Sequence, residues 1–191
     1  MGTSMGHYIN ITLLPDPEFP VTTLMNSLFS KFHKGLYDQK ATDIGVSFPQ
    51  CQAGKKQLGN VLRLHGNADS LSAFMAVNWI GPMSGYCQVS EVQKQPDQVQ
   101  YRTISRRQAP MSAAKLKRLK KRGHVTEQGL KDYQSKLAAQ PEPNQPYLEL
   151  KSASNGQRYR RYIEIGPLQD QPNQGEFDQF GLSRTATVAW F

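Results

Sequence analysis

Cysteine is nearly absent: Cys51 and Cys87 are the two such residues in 191. They could form at most one bridge and lack the close Cys/His spacing of a zinc site or redox pair, so both read as reduced and structural. No apolar run reaches the roughly 18 to 20 residues of a membrane span. The N-terminus has neither a basic n-region nor an apolar h-region. A cytoplasmic protein without a membrane partner is the expectation. Walker loop, H-E-x-x-H pair and G-x-S-x-G elbow are all missing, and the carboxylates are scattered. That disfavours a metal-dependent nuclease and leaves no cofactor and no metal site to expect. What is present, 38% hydrophobic and 20% charged residues, describes a soluble globular chain long enough for one ordinary domain or two small ones.

Acidic residues are missing from one place in particular. Residues 1–98 hold 7 Lys/Arg and 7 Asp/Glu, whereas 99–191 hold 16 and 8, so the whole net charge of +8 lies in the second half. From Arg102 to His124 there are nine cations and no acid: Arg102, Arg106, Arg107, Lys115, Lys117, Arg118, Lys120, Lys121 and Arg122. Uncompensated cations repel one another unless a polyanion neutralises them. Nucleic acid fits better than a membrane surface, because the stretch lacks a bulky apolar face.

Met1-Gly2-Thr3-Ser4, ahead of a second start-like Met5, read as an expression scar and stay outside the fold argument. Residues 7–13 alternate, with Ile9, Ile11 and Leu13 on one face, and predict a strand. Leu24, Met25, Leu28, Phe29 and Phe32 recur at helical spacing after Pro20, and Gly35 is the expected stop. Residues 44–48 and 61–64 predict strands, Asp69 is placed to cap a helix with Leu71, Phe74 and Met75, and 88–92 predicts a fourth strand. The order βαββαβ is the pattern of a ferredoxin-like domain, giving an α+β fold with this domain at 5–97 and a second, basic domain at 98–191 that the charge marks for nucleic acid and the resemblance given below makes an RNA-binding domain. Linkers are expected at 94–100 and 138–146. In the second domain Ser112 is placed to cap a basic helix over about 112–123 that Gly123 ends, with Leu116 and Leu119 as a thin docking stripe. Strands follow at 147–152, 158–165, 177–182 and 187–191, the first two joined by an Asn155-Gly156 turn.

RNA carries its own nucleophile, since a 2'-OH can attack the adjacent phosphate. A protein then needs only to align the attack, take the proton and stabilise the spreading charge. Of the four histidines, His33 stands out through its expected place at a helix C-terminus, which favours the imidazolium, and through Phe32 beside it as an anchor. His7 starts a strand, His65 ends one, and His124 follows the basic helix. Ser152 and Ser154 share one face of the strand entering the turn. Alone, that pair is ordinary hairpin chemistry, and Tyr159 alone is half-buried strand packing.

As a collinear set, HYINITLLPDPEFP, KFHKGL, IGVSFP, SRRQA, the basic helix, KSASNGQRYR, IEIGPL, FGLS and AWF resemble the type I-F CRISPR repeat endoribonuclease family over nearly the whole chain from His7. The resemblance implies metal-independent cleavage of precursor CRISPR RNA at the 3' base of the repeat hairpin. The products would be a 2',3'-cyclic phosphate and a 5'-hydroxyl, with the hairpin retained. It places His33 as general base for the 2'-OH, Ser152 as the serine constraining the attacking nucleotide, and Ser154 as a second serine. Arg106 and Gln108 fall on base-reading positions and Tyr159 on a position that stacks on the terminal base pair. Arg102 joins the RNA-binding set, with Lys115, Lys117, Arg118, Lys121, Arg122 and His124 at phosphate or base contacts. The implied partners are the repeat hairpin and other subunits of the surveillance complex, the free protein being a monomer.

Two departures stand out. Phe180 occupies a position where family members can have tyrosine, so only ring packing remains there. Lysines replace several arginines of the basic helix and supply charge without a planar fork, which implies steeper salt dependence. The rival readings are a non-catalytic hairpin-binding subunit and an RRM-like protein. The second needs exposed aromatics on the central strands, where Tyr8 is the one aromatic of the first strand and 61–64 has none.

Overall fold

Residues 5–52, 55–107, 113–123, 125–139, 143–152 and 155–191 are described by a computed structural model. The expected order is present as β1 (His7–Leu13), α1 (Val21–Gln39), β2 (Gly45–Ser47), β3 (Val61–Gly66), α2 (Ala68–Ala76) and β4 (Cys87–Val89). The strands lie in the order β2-β3-β1-β4, every neighbour antiparallel. β5 (Gln93–Lys94) extends the pairing along β1. Ile9, Ile11 and Leu13 point inward as the alternation requires, against Leu28, Phe29 and Phe32 of α1. The protein is thus an α+β fold built on antiparallel sheets.

α1 does not end at Gly35. It runs on to Gln39, and Lys40, at φ 53, closes it with its N–H on the carbonyls of Leu36 and Tyr37. Gly35 answers a packing demand instead, because a Cβ there would lie 3.1 Å from the Trp79 Cβ and 3.2 Å from the Phe74 ring. His33 therefore sits inside the helix, beyond reach of the terminal dipole. Asn67, and not Asp69, caps α2: its Oδ1 accepts the Ser70 N–H at 2.8 Å.

Both cysteines are free. The expected linker after residue 94 contains the start of β6 (Gln100–Arg102), which pairs with β10 (Val188–Trp190). β7 (Ile104–Arg106), β9 (Arg158–Ile165) and β8 (Tyr147–Lys151) form a three-stranded sheet in that order. The expected strand at 177–182 is a turn. The Asp178 carboxylate accepts the N–H groups of Phe180 and Leu182 at 2.8 and 3.0 Å, and Gly181, at φ +68, turns the chain where a Cβ would press on Phe32 at 3.0 Å. A local Asx-type bond thus outcompetes the ladder.

By compactness one unit runs to Arg106 and resumes over Gln145–Phe191, and a second comprises Arg107–Asn144. Ile104, Leu148, Ile163 and Leu182 belong to the same buried cluster as Leu28 and Phe32. Within the second unit, α3 (Ala113–Arg122) and α4 (Glu127–Ala138) contact each other. Gly123, at φ +66, ends α3 as expected; Ser112 lies outside the described residues. α4 has no counterpart among the expected elements. Thr126 caps it by accepting the Gly129 N–H, and Leu130, Tyr133 and Leu137 are its half-buried stripe. Among the described residues no helix is long and apolar enough to cross a membrane.

Candidate active site

The core-facing stripe of α1 buries Phe32 against Phe29, Phe74 and Trp79. The next residue, His33, is thereby held half-buried at the edge of the stripe, on the wall of a cleft of about 890 Å³. That cleft is also lined by Arg106 from β7, Tyr159 and Arg161 from β9, and Ser152, Asn155 and Gln157 from the β8–β9 connection. The hairpin brings Ser152 there because its N–H donates to the Gln157 carbonyl at 2.8 Å, continuing the ladder one pair beyond Lys151 and Arg158. The Asn155 carboxamide oxygen accepts the Gln157 N–H at 3.1 Å and braces the turn.

Two contacts fix the imidazole of His33. Its Nδ1 lies 2.6 Å from the Gln179 carbonyl oxygen; a carbonyl only accepts, so Nδ1 carries the proton and donates. In the neutral ring Nε2 then holds the free lone pair, the form a general base requires. The ring also stacks on Phe180 at 3.6 Å between centroids and 9° between planes, so the phenylalanine supplies ring packing. Both partners come from the turn braced by Asp178.

The cleft wall is cationic. Lys34, Arg106, Lys151, Arg158 and Arg161 face one carboxylate, Asp38, and that is taken by Lys34 at 2.5 Å. Arg161 is 6% exposed. Its guanidinium pKa is lowered, first by desolvation and further by the charge of Arg106, while a hydrogen bond and the charge of Tyr159 and the charge of Asp178 oppose this. Among the described residues no group of three His, Cys, Asp or Glu side chains is placed to hold a metal ion.

The cleft thus gathers His33, Ser152, Arg106 and Tyr159 from elements far apart in sequence. Arg102 is elsewhere: its guanidinium carbon lies 4.4 Å from the Trp190 ring centroid, and burial lowers its pKa, opposed by Cys51. Lys115, Lys117, Arg118, Lys121 and Arg122 are exposed on α3, while Leu116 and Leu119 are half-buried. Ser154, Gln108 and His124 lie outside the described residues. Sequence reasoning missed Arg161, Lys34 and Tyr37. The signal for Arg161 was available, since it shares the inward register of β9 with Tyr159, Ile163 and Ile165, where an apolar residue is expected.

The comparisons with known proteins agree in scale with this whole-chain layout. The family described as "CRISPR-associated protein (Cas_Csy4)" matches residues 8–191. A protein named CRISPR-associated endonuclease Cas6/Csy4 from Escherichia coli (strain UTI89 / UPEC) is 40% identical over 190 residues, covering 98% of this chain and 100% of that one. Its namesake from Pseudomonas aeruginosa (strain UCBPP-PA14) is 38% identical over 188 residues, with 98% and 100% covered. With a family match from the first strand to the last residue and relatives collinear end to end, this chain belongs to the Csy4 family of CRISPR-associated proteins.

Proposed function

We propose that this protein is an endoribonuclease that cuts precursor CRISPR RNA at the 3' base of each repeat hairpin and stays on the product. The single observation that carries this reading is the cationic cleft lined by both Ser152 and a histidine whose Nδ1 is the nitrogen engaged by the backbone. The relatives' names as CRISPR-associated endonucleases support the substrate class.

In the reaction the 2'-OH upstream of the scissile phosphate gives its proton to Nε2 of His33. Its oxygen bonds to phosphorus as the bond to the 5'-oxygen breaks, leaving a 2',3'-cyclic phosphate and a 5'-hydroxyl. Ser152 constrains the attacking ribose in line with the leaving oxygen, which supplies the orientation that such a displacement needs. Ser154 is the second serine of that pair. Arg106, with Gln108, reads bases of the lower stem, and Tyr159 stacks on its terminal base pair. α3 contributes phosphate attraction through Lys115, Lys117, Arg118, Lys121 and Arg122, followed by His124, and Arg102 joins the RNA-binding set. Residues 98–191 act as the RNA-binding half. The nucleophile belongs to the substrate and the base to the protein, so the chemistry requires no metal ion. The protein works in the cytoplasm, is a monomer when free, and through the retained hairpin joins the other subunits of the surveillance complex.

Single-turnover cleavage of end-labelled repeat RNA from the host's own array, with EDTA present, tests the reading. Cleavage to a cyclic-phosphate end by the intact protein is the expected result. Tight binding without cleavage would make it a hairpin-holding subunit.

A further inference from the structure

β9 carries an arginine where its alternation calls for an apolar residue. Tyr159, Arg161, Ile163 and Ile165 occupy the inward register, and Arg161 is 6% exposed. Tyr159 gives its guanidinium one hydrogen bond and Asp178 a favourable charge, but its Nε has no partner, and among the described residues no carboxylate is in ion-pair range of it. A buried guanidinium in that state costs stability relative to leucine or methionine, so packing alone does not account for its presence.

Its position does. The guanidinium carbon lies 3.4 Å from the centroid of Phe180, and the imidazole of His33 lies 3.6 Å from the same centroid with near-parallel planes. Two groups that close to one ring centre cannot share a face. His33 and Arg161 therefore clasp Phe180 from opposite sides, in the order imidazole, phenyl, guanidinium. Phe180 is half-buried on a turn whose backbone is held by Asp178, and its ring needs support from behind to stay flat on His33. A planar cation on an aromatic face is attracted by the ring quadrupole, most strongly where water is excluded.

We propose that Arg161 is a positioning residue for the general base: it clamps Phe180 against the imidazole of His33 and so fixes the direction of Nε2. The inference rests on His33 being the base, but its structural half is readable without any cleavage. Lysine has the charge without the plane, so charge alone does not replace it.

The experiment compares the full-length protein with Arg161→Met and Arg161→Lys in two ways. In ¹H–¹³C spectra, with His33 assigned by the signal lost in His33→Ala, the ring protons of His33 carry the upfield ring-current shift of a stacked imidazole. In both variants they move toward ordinary histidine positions, while the signals of buried His65 stay in place and certify the fold. In single-turnover cleavage of repeat RNA at saturating protein, the rate falls about 10- to 100-fold, the scale for a misplaced reacting group. Unmoved His33 signals overturn the proposal whatever the rate does. Moved signals with an unchanged rate in a cleaving protein overturn it too, since the clamp would then have no part in catalysis. If the intact protein does not cleave at all, the reading of His33 as base fails, and the spectra alone decide whether Arg161 orients its ring.

Discussion

The interior of the central sheet and the cleft beside α1 both hold a histidine and an arginine, and they treat them in opposite ways. In the sheet, His65 Nε2 is 2.8 Å from the Ser47 hydroxyl. Arg63 packs against the rings of Tyr8 and Phe191, donating through Nε to Asn10 Oδ1 and through Nη1 to the Phe191 carbonyl, both at 2.8 Å. These donors are engaged, and the pair serves the fold. In the cleft, His33 uses Nδ1 and keeps Nε2 in reserve, while Arg161 is stacked but leaves Nε unpaired. Buried polar groups with capacity to spare are what a site for an incoming phosphodiester requires, and they are costly anywhere else.

The sharpest way to break the comparison is to remove one histidine from each region. His33→Ala is expected to lower single-turnover cleavage by about 10²- to 10⁴-fold, the usual range for a lost general base. Its melting temperature and hairpin affinity should stay close to those of the intact protein; a large loss of stability would place His33 with His65 among the structural histidines. Acid titration probes His65 further. Burial first, and the Arg63 charge second, push the His65 pKa from 6.5 down to about 3. The unfolded chain therefore binds the extra proton between those values. The contribution is intact above pH 6.5 and is lost as pH falls toward 3, at about 1.4 kcal/mol per pH unit for this group. Urea titrations at stepped pH measure that slope, and His65→Leu should flatten it.

The same His65→Leu variant should cost about 1–3 kcal/mol at neutral pH by stranding the Ser47 hydroxyl. Cleavage per folded molecule should not change, which kinetics on the purified variant would check. The smallest effect is expected from the exposed charge of α3. Lys117→Ala should weaken hairpin binding a few-fold and reduce the slope of log K against log salt by about one, without altering the cleavage rate of bound RNA.

Much of the scaffold was legible because one period decided it. The alternation of Ile9, Ile11 and Leu13 and the helical stripe from Leu24 to Phe32 each point to one structure, and each formed; the β8–β9 hairpin formed too, but its register sets Ser152 opposite Gln157, so Asn155-Gly156 is not its two-residue turn. The departures come from residues with two possible physical causes. Gly35 reads as a helix stop yet is small because Trp79 and Phe74 press on it. Phe177–Leu182 has strand-like residues, but Asp178 binds the local backbone first. α4 went unread since its half-buried Leu130, Tyr133 and Leu137 form a thin stripe between polar residues. In the site, His33 was found for a reason that the longer helix removes, and its true support, Gln179 and Phe180, lies more than 140 residues away in the chain. No local pattern reports such a contact.

The central claim is that the scissile phosphate sits in the cleft between His33 and Ser152. Its most direct test is the structure of this protein bound to its repeat hairpin with a 2'-deoxy nucleotide at the cut, which removes the attacking hydroxyl and leaves the strand whole. The account predicts the 2' carbon about 4 Å from His33 Nε2, one hydroxyl's reach, with that ribose against Ser152. A scissile phosphate lying outside the cleft, with His33 still capped by Gln179 and Phe180 and touching no RNA, would contradict it.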